Sequence, residues 1–120
     1  MPAQERRKAQ RVKANLAISV SGGPEEARGE TLNISTNGVY FQSPRYIEPL
    51  TKVQLELIIP ARGKDSEEET SLICDGIVVR VEPEHEDSSV SSYNVAVFFS
   101  FLPDATQKKL EKYISQRLSS

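Results

Sequence analysis

The chain has 120 residues, of which 38% are apolar and 27% charged, a composition that suits one globular domain with a single core. A formal net charge of −2 excludes a general polyanion binder, and a single cysteine, Cys74, excludes an internal disulfide. No apolar run approaches the ~20 residues of a membrane-spanning helix, and no apolar signal segment follows the charged N-terminus, so we expect no membrane insertion and a cytoplasmic location.

The chain begins with a basic segment, residues 1–13, in which nothing is apolar enough to anchor a fold. Its cations outnumber its single acid, Glu5, and are Arg6, Arg7, Lys8, Arg11 and Lys13. A local basic cluster on an acidic chain indicates a local anionic ligand. Taken alone, the segment could also be a solubility tail or a weak patch for acidic lipids or nucleic acid. We predict a flexible arm over 1–13 and a folded domain over 14–120.

Six segments after the arm have the alternation or the β-branched and aromatic composition of strands. They are 14–20, 28–35, 38–43, 52–60, 71–83 and 93–102. Gly76 inside the fifth segment indicates a bulge or bend. The apolar period then becomes helical over 103–118. The sequence therefore predicts a mainly β fold, a six-stranded antiparallel β-barrel followed by a C-terminal α-helix.

The remaining features have plain structural interpretations. The acidic runs 65–69 and 82–87 are expected to be loops. His85 lies within the second run, but one histidine on an acidic loop offers too few converging ligands for a metal site, so no metal is expected. Cys74 is expected to be a small buried hydrophobe. The three phenylalanines of the last strand are expected to pack in the core or against the helix; they are Phe98, Phe99 and Phe101.

Two short motifs stand out when they are considered together. Arg7 and Arg11 are spaced as R-x-x-x-R, which alone is common. NISTNG, residues 33–38, supplies Asn33, Ser35 and Gly38 as N-x-S-x-x-G at a turn between two predicted strands. The pair resembles the two-part signature of PilZ domains, bacterial receptors for the second messenger cyclic di-GMP. Both halves match, in the same order and with one strand and a turn between them.

The resemblance implies a cyclic di-GMP site at Arg7, Arg11, Asn33, Ser35 and Gly38. The ligand carries two phosphates and two guanines, and a guanidinium can bind the phosphates, bond guanine O6 and N7, or stack on a base. Asn33 and Ser35 are two residues apart, so we expect their side chains on one face of a strand. Gly38 is expected to supply a positive φ and a close backbone approach.

Two further arginines are weaker candidates. Arg6 could contact a second, stacked nucleotide, since family members can bind an intercalated dimer as well as a single molecule. Arg80 lies on a strand that borders the site in the family, where it could stack on a base or be an ordinary surface arginine.

The implied function is that of a receptor whose arm closes over the ligand and creates a surface for a partner protein. The alternative is a PilZ-type adaptor that binds proteins without the nucleotide. Nucleic acid is not expected as a partner. No Ser-His-Asp arrangement, metal-ligand cluster or P-loop is recognisable, so no enzymatic activity is expected.

Overall fold

The computed structural model describes residues 10–22, 26–59 and 70–118, which form seven strands followed by one helix. Six of the strands and the helix correspond to the predicted segments, with small shifts at their ends. The elements are β1 (Val12–Lys13), β2 (Ala17–Ser21), β3 (Ala27–Ile34), β4 (Gly38–Ser43), β5 (Lys52–Ile59), β6 (Thr70–Glu82), β7 (Tyr93–Phe101) and α1 (Asp104–Leu118).

The six longer strands close into an antiparallel barrel, as predicted. Around the barrel the order is β3, β2, β5, β6, β7 and β4, and β4 pairs again with β3. The two-residue β1 lies beside the last part of β3, where Val12 is opposite Ile34 and Lys13 is opposite Asn33. Val12 and Lys13, which belong to the arm as predicted from the sequence, are therefore paired with the barrel.

The core lies inside the barrel because the longer strands mostly alternate buried and exposed side chains, with the buried ones apolar. The pattern is clearest in β5, whose inward residues are Val53, Leu55, Leu57 and Ile59, all of them buried. The pairing of β6 with β7 shifts register between Asp75 and Gly76. This shift confirms the irregularity predicted at Gly76.

A buried threonine joins β1 and β2 to β3. The Thr31 hydroxyl accepts a 2.8 Å hydrogen bond from the Leu16 amide and donates one to the Ala14 carbonyl. The Thr31 amide in turn donates to the Leu16 carbonyl at 2.9 Å. Next to this junction β3 changes register between Thr31 and Asn33. A bulge of this kind re-aims the side chains that follow it, and here it precedes Asn33.

Helix α1 lies at the barrel end where β3 turns into β4, since it follows β7 and packs on β6 and β1. Its buried residues are Leu110, Tyr113 and Ile114. Near the end of the helix, Nη2 of Arg117 donates a 2.6 Å hydrogen bond to the Lys13 carbonyl. Within the three described ranges, no helix combines the length and apolar character needed to cross a bilayer.

Two phenylalanines of β7 contradict the prediction that they pack inside. Phe99 is buried, but Phe98 is 51% exposed and Phe101 is 60% exposed. The alternation of β7 directs Val95, Val97 and Phe99 inward and leaves Phe98 on the outer face. The register shift between Asp75 and Gly76 interrupts this alternation, and Phe101 lies opposite the exposed Asp75. Helix α1 does not cover that face, since it packs on β6 and β1. The barrel therefore carries aromatic surface on its outside.

The acidic segments divide between described and undescribed residues. Residues 65–69 lie outside the described ranges. In the other run, Glu82 ends β6 and the residues up to Asp87 form an exposed loop. His85 is exposed there, in agreement with its interpretation as part of a solvated loop.

Candidate ligand-binding site

Two residues from the separate sequence motifs meet in the structure. Arg11 directly precedes β1, and its Nη1 donates a 2.7 Å hydrogen bond to Oδ1 of Asn33. The pairing of Lys13 with Asn33 brings the two side chains together, because it fixes the end of the basic arm against β3. Both side chains stay accessible: Arg11 is exposed and Asn33 is half-buried. A guanidinium and a carboxamide thus lie side by side on the outer face of the barrel.

The Ser35 side chain does not share the exposed face of Asn33, contrary to expectation. Ser35 is only 1% exposed, because β3 ends at Ile34 and its alternation does not continue into the turn. The Ser35 hydroxyl accepts hydrogen bonds from the amides of Asn37 at 3.0 Å and Gly38 at 3.3 Å. The Ser35 amide donates to the Gly38 carbonyl at 2.9 Å. Ser35 therefore holds the turn from within, as serine hydroxyls often do.

One of the two properties expected of Gly38 is present. The expected positive φ is wrong, since among the described glycines only Gly22 has one. The close approach is found instead: Gly38 pairs with Phe98 of β7, and a Cβ on Gly38 would come within 3.0 Å of the Val97 carbonyl oxygen. The absence of a side chain lets β4 and β7 pair at the end of the turn, where β4 begins.

Arg80 belongs to the same outer face as Asn33, although three strand spacings separate them. The pairings place Asn33 opposite Tyr40, Tyr40 opposite Ala96, and Ala96 opposite Arg80. We call these four residues the outer row. At ~4.8 Å between neighbouring strands, the row spans ~14 Å from β3 to β6. Arg11 extends it at one end, so that a guanidinium stands at each end of the row.

A tyrosine and a glutamate fill the space between the two arginines. The Tyr40 hydroxyl donates a 2.9 Å hydrogen bond to Oε1 of Glu82, and Nε of Arg80 lies 4.0 Å from Oε2 of the same carboxylate. Because β7 separates the strands of Tyr40 and Glu82, the phenol must extend across β7 near the small side chain of Ala96. Desolvation raises the pKa of Tyr40, and the adjacent Glu82 carboxylate raises this pKa further.

Tyr40 and Glu82 were not among the residues singled out from the sequence. Each lies two positions from a named residue, Tyr40 after Gly38 and Glu82 after Arg80, so strand alternation alone would have put each on the same face as its neighbour. Their meeting depends on the order of β4, β7 and β6, which the sequence does not indicate.

The site favours binding over catalysis. Arg11 and Arg80 offer several N–H donors for anions or base edges, and Asn33 offers both a donor and an acceptor. Arg6 and Arg7, the other two arginines of the prediction, lie outside the described residues. Among the described residues, histidine, cysteine, aspartate and glutamate form no group of three or more that could hold a metal ion.

A separate cavity of about 880 Å³ lies at the opposite end of the barrel. Its walls include Val20, Val53 and the edge-to-face pair of Tyr46 and Tyr93, whose ring centroids are 5.5 Å apart. None of the motif residues lines it. The cavity therefore has no part in the outer-row site, which is a shallow surface.

Comparisons with known proteins agree with the described fold. A family model described as PilZ domain matches residues 5–116. The fold is similar to the structure of Bacillus subtilis inhibitor of motility (MotI/DgrA), with a TM-score of 0.75, 20% identity, and coverage of 96% of this chain and 53% of that one. This chain thus spans about half the length of MotI.

A second similar structure is the PilZ domain with c-di-GMP of YcgR from Escherichia coli. Its TM-score is 0.66 and its identity 12%, over 95% of this chain and 92% of that chain. At these identities the two structures establish the likeness of fold. No curated protein sequence matches the chain significantly.

Proposed function

The chain belongs to the PilZ domain family, and on that premise we propose that it is a bacterial, cytoplasmic receptor for cyclic di-GMP. The observation that carries the proposal is the hydrogen bond from Arg11 to Asn33, which joins the two halves of the family signature at one place on the barrel. The PilZ domain of YcgR, which has the same fold, was solved with c-di-GMP.

In this proposal the ligand binds over the outer row. Arg7 and Arg11 bind the phosphates or a guanine edge, and Asn33 bonds a base or a phosphate beside them. Lysine would keep the charge at Arg7 or Arg11 but would lose the planar fork and the stacking surface. Arg80, at the far end of the row, can stack on a base, and Arg6 can contact a second molecule if the nucleotide binds as an intercalated dimer.

Ser35 and Gly38 serve the ligand indirectly in this proposal. Ser35 uses its hydroxyl to hold the amides of Asn37 and Gly38. Gly38 lets β7 approach β4. Together they fix the turn that follows Asn33, so that Asn33 meets the ligand in one orientation.

Signalling follows from ordering of the arm. Binding would hold residues 5–11 against the barrel near 33–38 and so create a surface composed of arm, ligand and barrel. A partner that prefers the closed form then binds in proportion to the fraction of chains that hold the nucleotide. Phe98 supports the presence of such a surface, because it is 51% exposed and lies opposite Gly38.

Isothermal titration of cyclic di-GMP into the protein tests the proposal, with GMP as the control ligand and the Arg7→Ala/Arg11→Ala double variant as the control protein. We expect saturable binding that the double variant loses. A ratio of one nucleotide per chain indicates a single molecule, and a ratio of two indicates the intercalated dimer. Unchanged affinity in the double variant would contradict the assigned site.

A flat titration trace would favour the second candidate, a PilZ-type adaptor that works without the nucleotide. The observation in its favour is the aromatic outer surface formed by Phe98 and Phe101. Exposed aromatic side chains are enriched at protein interfaces. The replacement Phe98→Ser would then abolish partner binding while both nucleotide arginines remain intact.

A further inference from the structure

We propose that Tyr40 and Glu82 form a guanine-reading subsite on the outer face of the barrel, at which Glu82 accepts hydrogen bonds from the Watson–Crick edge of one guanine. The inference rests on the proposed function and deepens it, since it assigns the residues that bind the Watson–Crick edge of guanine in a cyclic dinucleotide.

The arginines of the site provide no partner for the N–H groups on the Watson–Crick edge of guanine. A guanidinium only donates hydrogen bonds, so it can bind phosphate, O6 and N7, but it cannot bind the N1–H and N2–H₂ groups of guanine. Those groups need an acceptor. An ionised carboxylate has two acceptor oxygens and can accept both hydrogen bonds side by side. Adenine has an acceptor at N1 instead and would place its lone pair against the carboxylate.

Glu82 has the position and the surroundings for this task. Its side chain is 52% exposed, so its oxygens are accessible from outside. The Tyr40 hydroxyl holds Oε1 at 2.9 Å, and Arg80 lies 4.0 Å from Oε2. These two contacts orient the carboxylate and use only part of its acceptor capacity. Arg80 also compensates the repulsion between Glu82 and the ligand phosphates.

Tyr40 supplies the surface on which the base would lie. It is half-buried and neighbours Asn33 on β3, while its hydroxyl reaches Glu82 across β7. The ring therefore extends along the sheet between the two, beside Ala96. Proteins commonly recognise unpaired bases by stacking on an aromatic ring together with hydrogen bonds to the Watson–Crick edge. A nucleotide whose phosphates bind at Arg11 can extend one base in this direction.

The test compares three ligands by titration: cyclic di-GMP, cyclic di-IMP, which lacks the N2 amino group, and cyclic di-AMP. The variants are Glu82→Gln and Tyr40→Phe. The matched control is Glu56→Gln. Glu56 also lies on the outer face of the sheet and also accepts a hydrogen bond from a hydroxyl, since Ser71 donates to its Oε2 at 2.9 Å. It belongs to β5, however, which is separated from the site by β6.

We expect the protein to bind the three ligands in the order cyclic di-GMP, cyclic di-IMP, cyclic di-AMP. Glu82→Gln should weaken cyclic di-GMP binding ~10-fold or more, the range of one lost bidentate base contact, and should change cyclic di-AMP binding much less. The preference for cyclic di-GMP over cyclic di-IMP should therefore shrink. Tyr40→Phe keeps the stacking ring and should cause a smaller loss, and Glu56→Gln should change neither affinity nor preference.

An unchanged preference among the three ligands in a folded Glu82→Gln variant would overturn the inference and leave the proposed receptor function intact. Absence of binding of every cyclic dinucleotide to the unmodified protein would instead overturn both.

Discussion

The guanidinium of Arg117, near the end of the C-terminal helix, donates a 2.6 Å hydrogen bond to the main-chain carbonyl of Lys13. Lys13 pairs with Asn33, and Arg11 is two residues before it. The last turn of the helix therefore helps to fix the position from which Arg11 reaches the proposed ligand. The strand that contains Lys13 has only two residues, so a single contact of this kind matters more there than within a long strand.

Replacing Arg117 by methionine should therefore weaken cyclic di-GMP binding several-fold without unfolding the protein. The reason is that β1 loses a bond worth ~1 kcal/mol and orders less readily. Titration measures the affinity, and hydrogen exchange of the amides of β1 measures the ordering. Lys112→Met, on the exposed face of the same helix, is the control. Equal affinities for the two variants would show that the bond to Lys13 does not serve the site.

The contact between Arg11 and Asn33 should be energetically coupled to ligand binding. Asn33→Leu removes the acceptor at nearly the same volume, and we expect a loss of ~10-fold in affinity, because Arg11 loses its orientation. Asn33→Asp should retain binding, since a carboxylate accepts the same bond with added charge. Arg11→Lys combined with Asn33→Leu completes a double-mutant cycle. The control is Arg28→Lys, because Arg28 is another exposed arginine, on β3. If the affinity losses of the two single variants simply add up in the double variant, the coupling is disproved.

Two glycines that approach the same valine should respond differently to a second substitution. A Cβ on Gly38 would meet the Val97 carbonyl oxygen, whereas one on Gly76 would meet Cγ1 of Val97 at 2.5 Å. Gly38→Ala and Gly76→Ala should each destabilise the fold by ~1–3 kcal/mol through overpacking. When Val97 is also replaced by alanine, Gly76→Ala should lower the free energy of unfolding by less, because Cγ1 of Val97 is gone. The cost of Gly38→Ala should stay the same, because the Val97 carbonyl remains.

Urea unfolding of the single and double variants measures these free energies. The two double variants control for each other, since both contain Val97→Ala and differ only in the glycine that is replaced. Rescue of Gly38→Ala by Val97→Ala would mean that β7 is free to shift, contrary to the close pairing of Gly38 with Phe98.

The buried thiol of Cys74 should make stability depend on alkaline pH. Burial, with a smaller contribution from Asp75, raises the pKa of Cys74 from 9.0 to about 12. Between these values the unfolded chain has lost the thiol proton and the folded chain has kept it, so stability falls as pH rises from about 9 to about 12 and is unaffected below that range. The free energy of unfolding should fall by ~1 kcal/mol between about pH 8 and pH 10 from this group.

Cys74→Ala isolates this effect, because the other alkaline groups titrate equally in both proteins. The variant should be less stable at neutral pH through lost packing, but its stability should fall less steeply above pH ~9. Parallel stability curves for the two proteins across this range would contradict the raised pKa.

The six longer strands were predictable from their alternation or from their β-branched and aromatic composition. The segment 38–43 was predicted with its observed limits, and β5 and β7 differ from their predicted segments by one residue at the C-terminal end. The first strand was predicted to begin at residue 14, but Ala14 and Leu16 bond to Thr31 between β1 and β2. Their burial resembles that of a strand, but their hydrogen bonds are made to the side chain of Thr31, which is distant in sequence.

Part of the site could be read from the motifs, and part could not. The family resemblance placed Arg11 and Asn33 in one ligand site, but it did not predict their direct hydrogen bond. The inward position of Ser35 could not be foreseen, because it depends on where β3 ends. The contact between Tyr40 and Glu82 depends on β7 lying between their strands, and the exposure of Phe98 depends on which side of β7 the helix leaves uncovered. Pairing partners far apart in sequence decide these features.

The closure of the barrel also has a consequence for the protein during synthesis. The outer row draws on β3, β4, β7 and β6, and β4 finds its second neighbour only when Tyr93–Phe101 has been made. A nascent chain that stops before that strand has both motifs, with all their arginines, but lacks the surface that aligns them. If the chain is the proposed receptor, nucleotide binding should therefore arise only once β7 and the residues after it have left the ribosome.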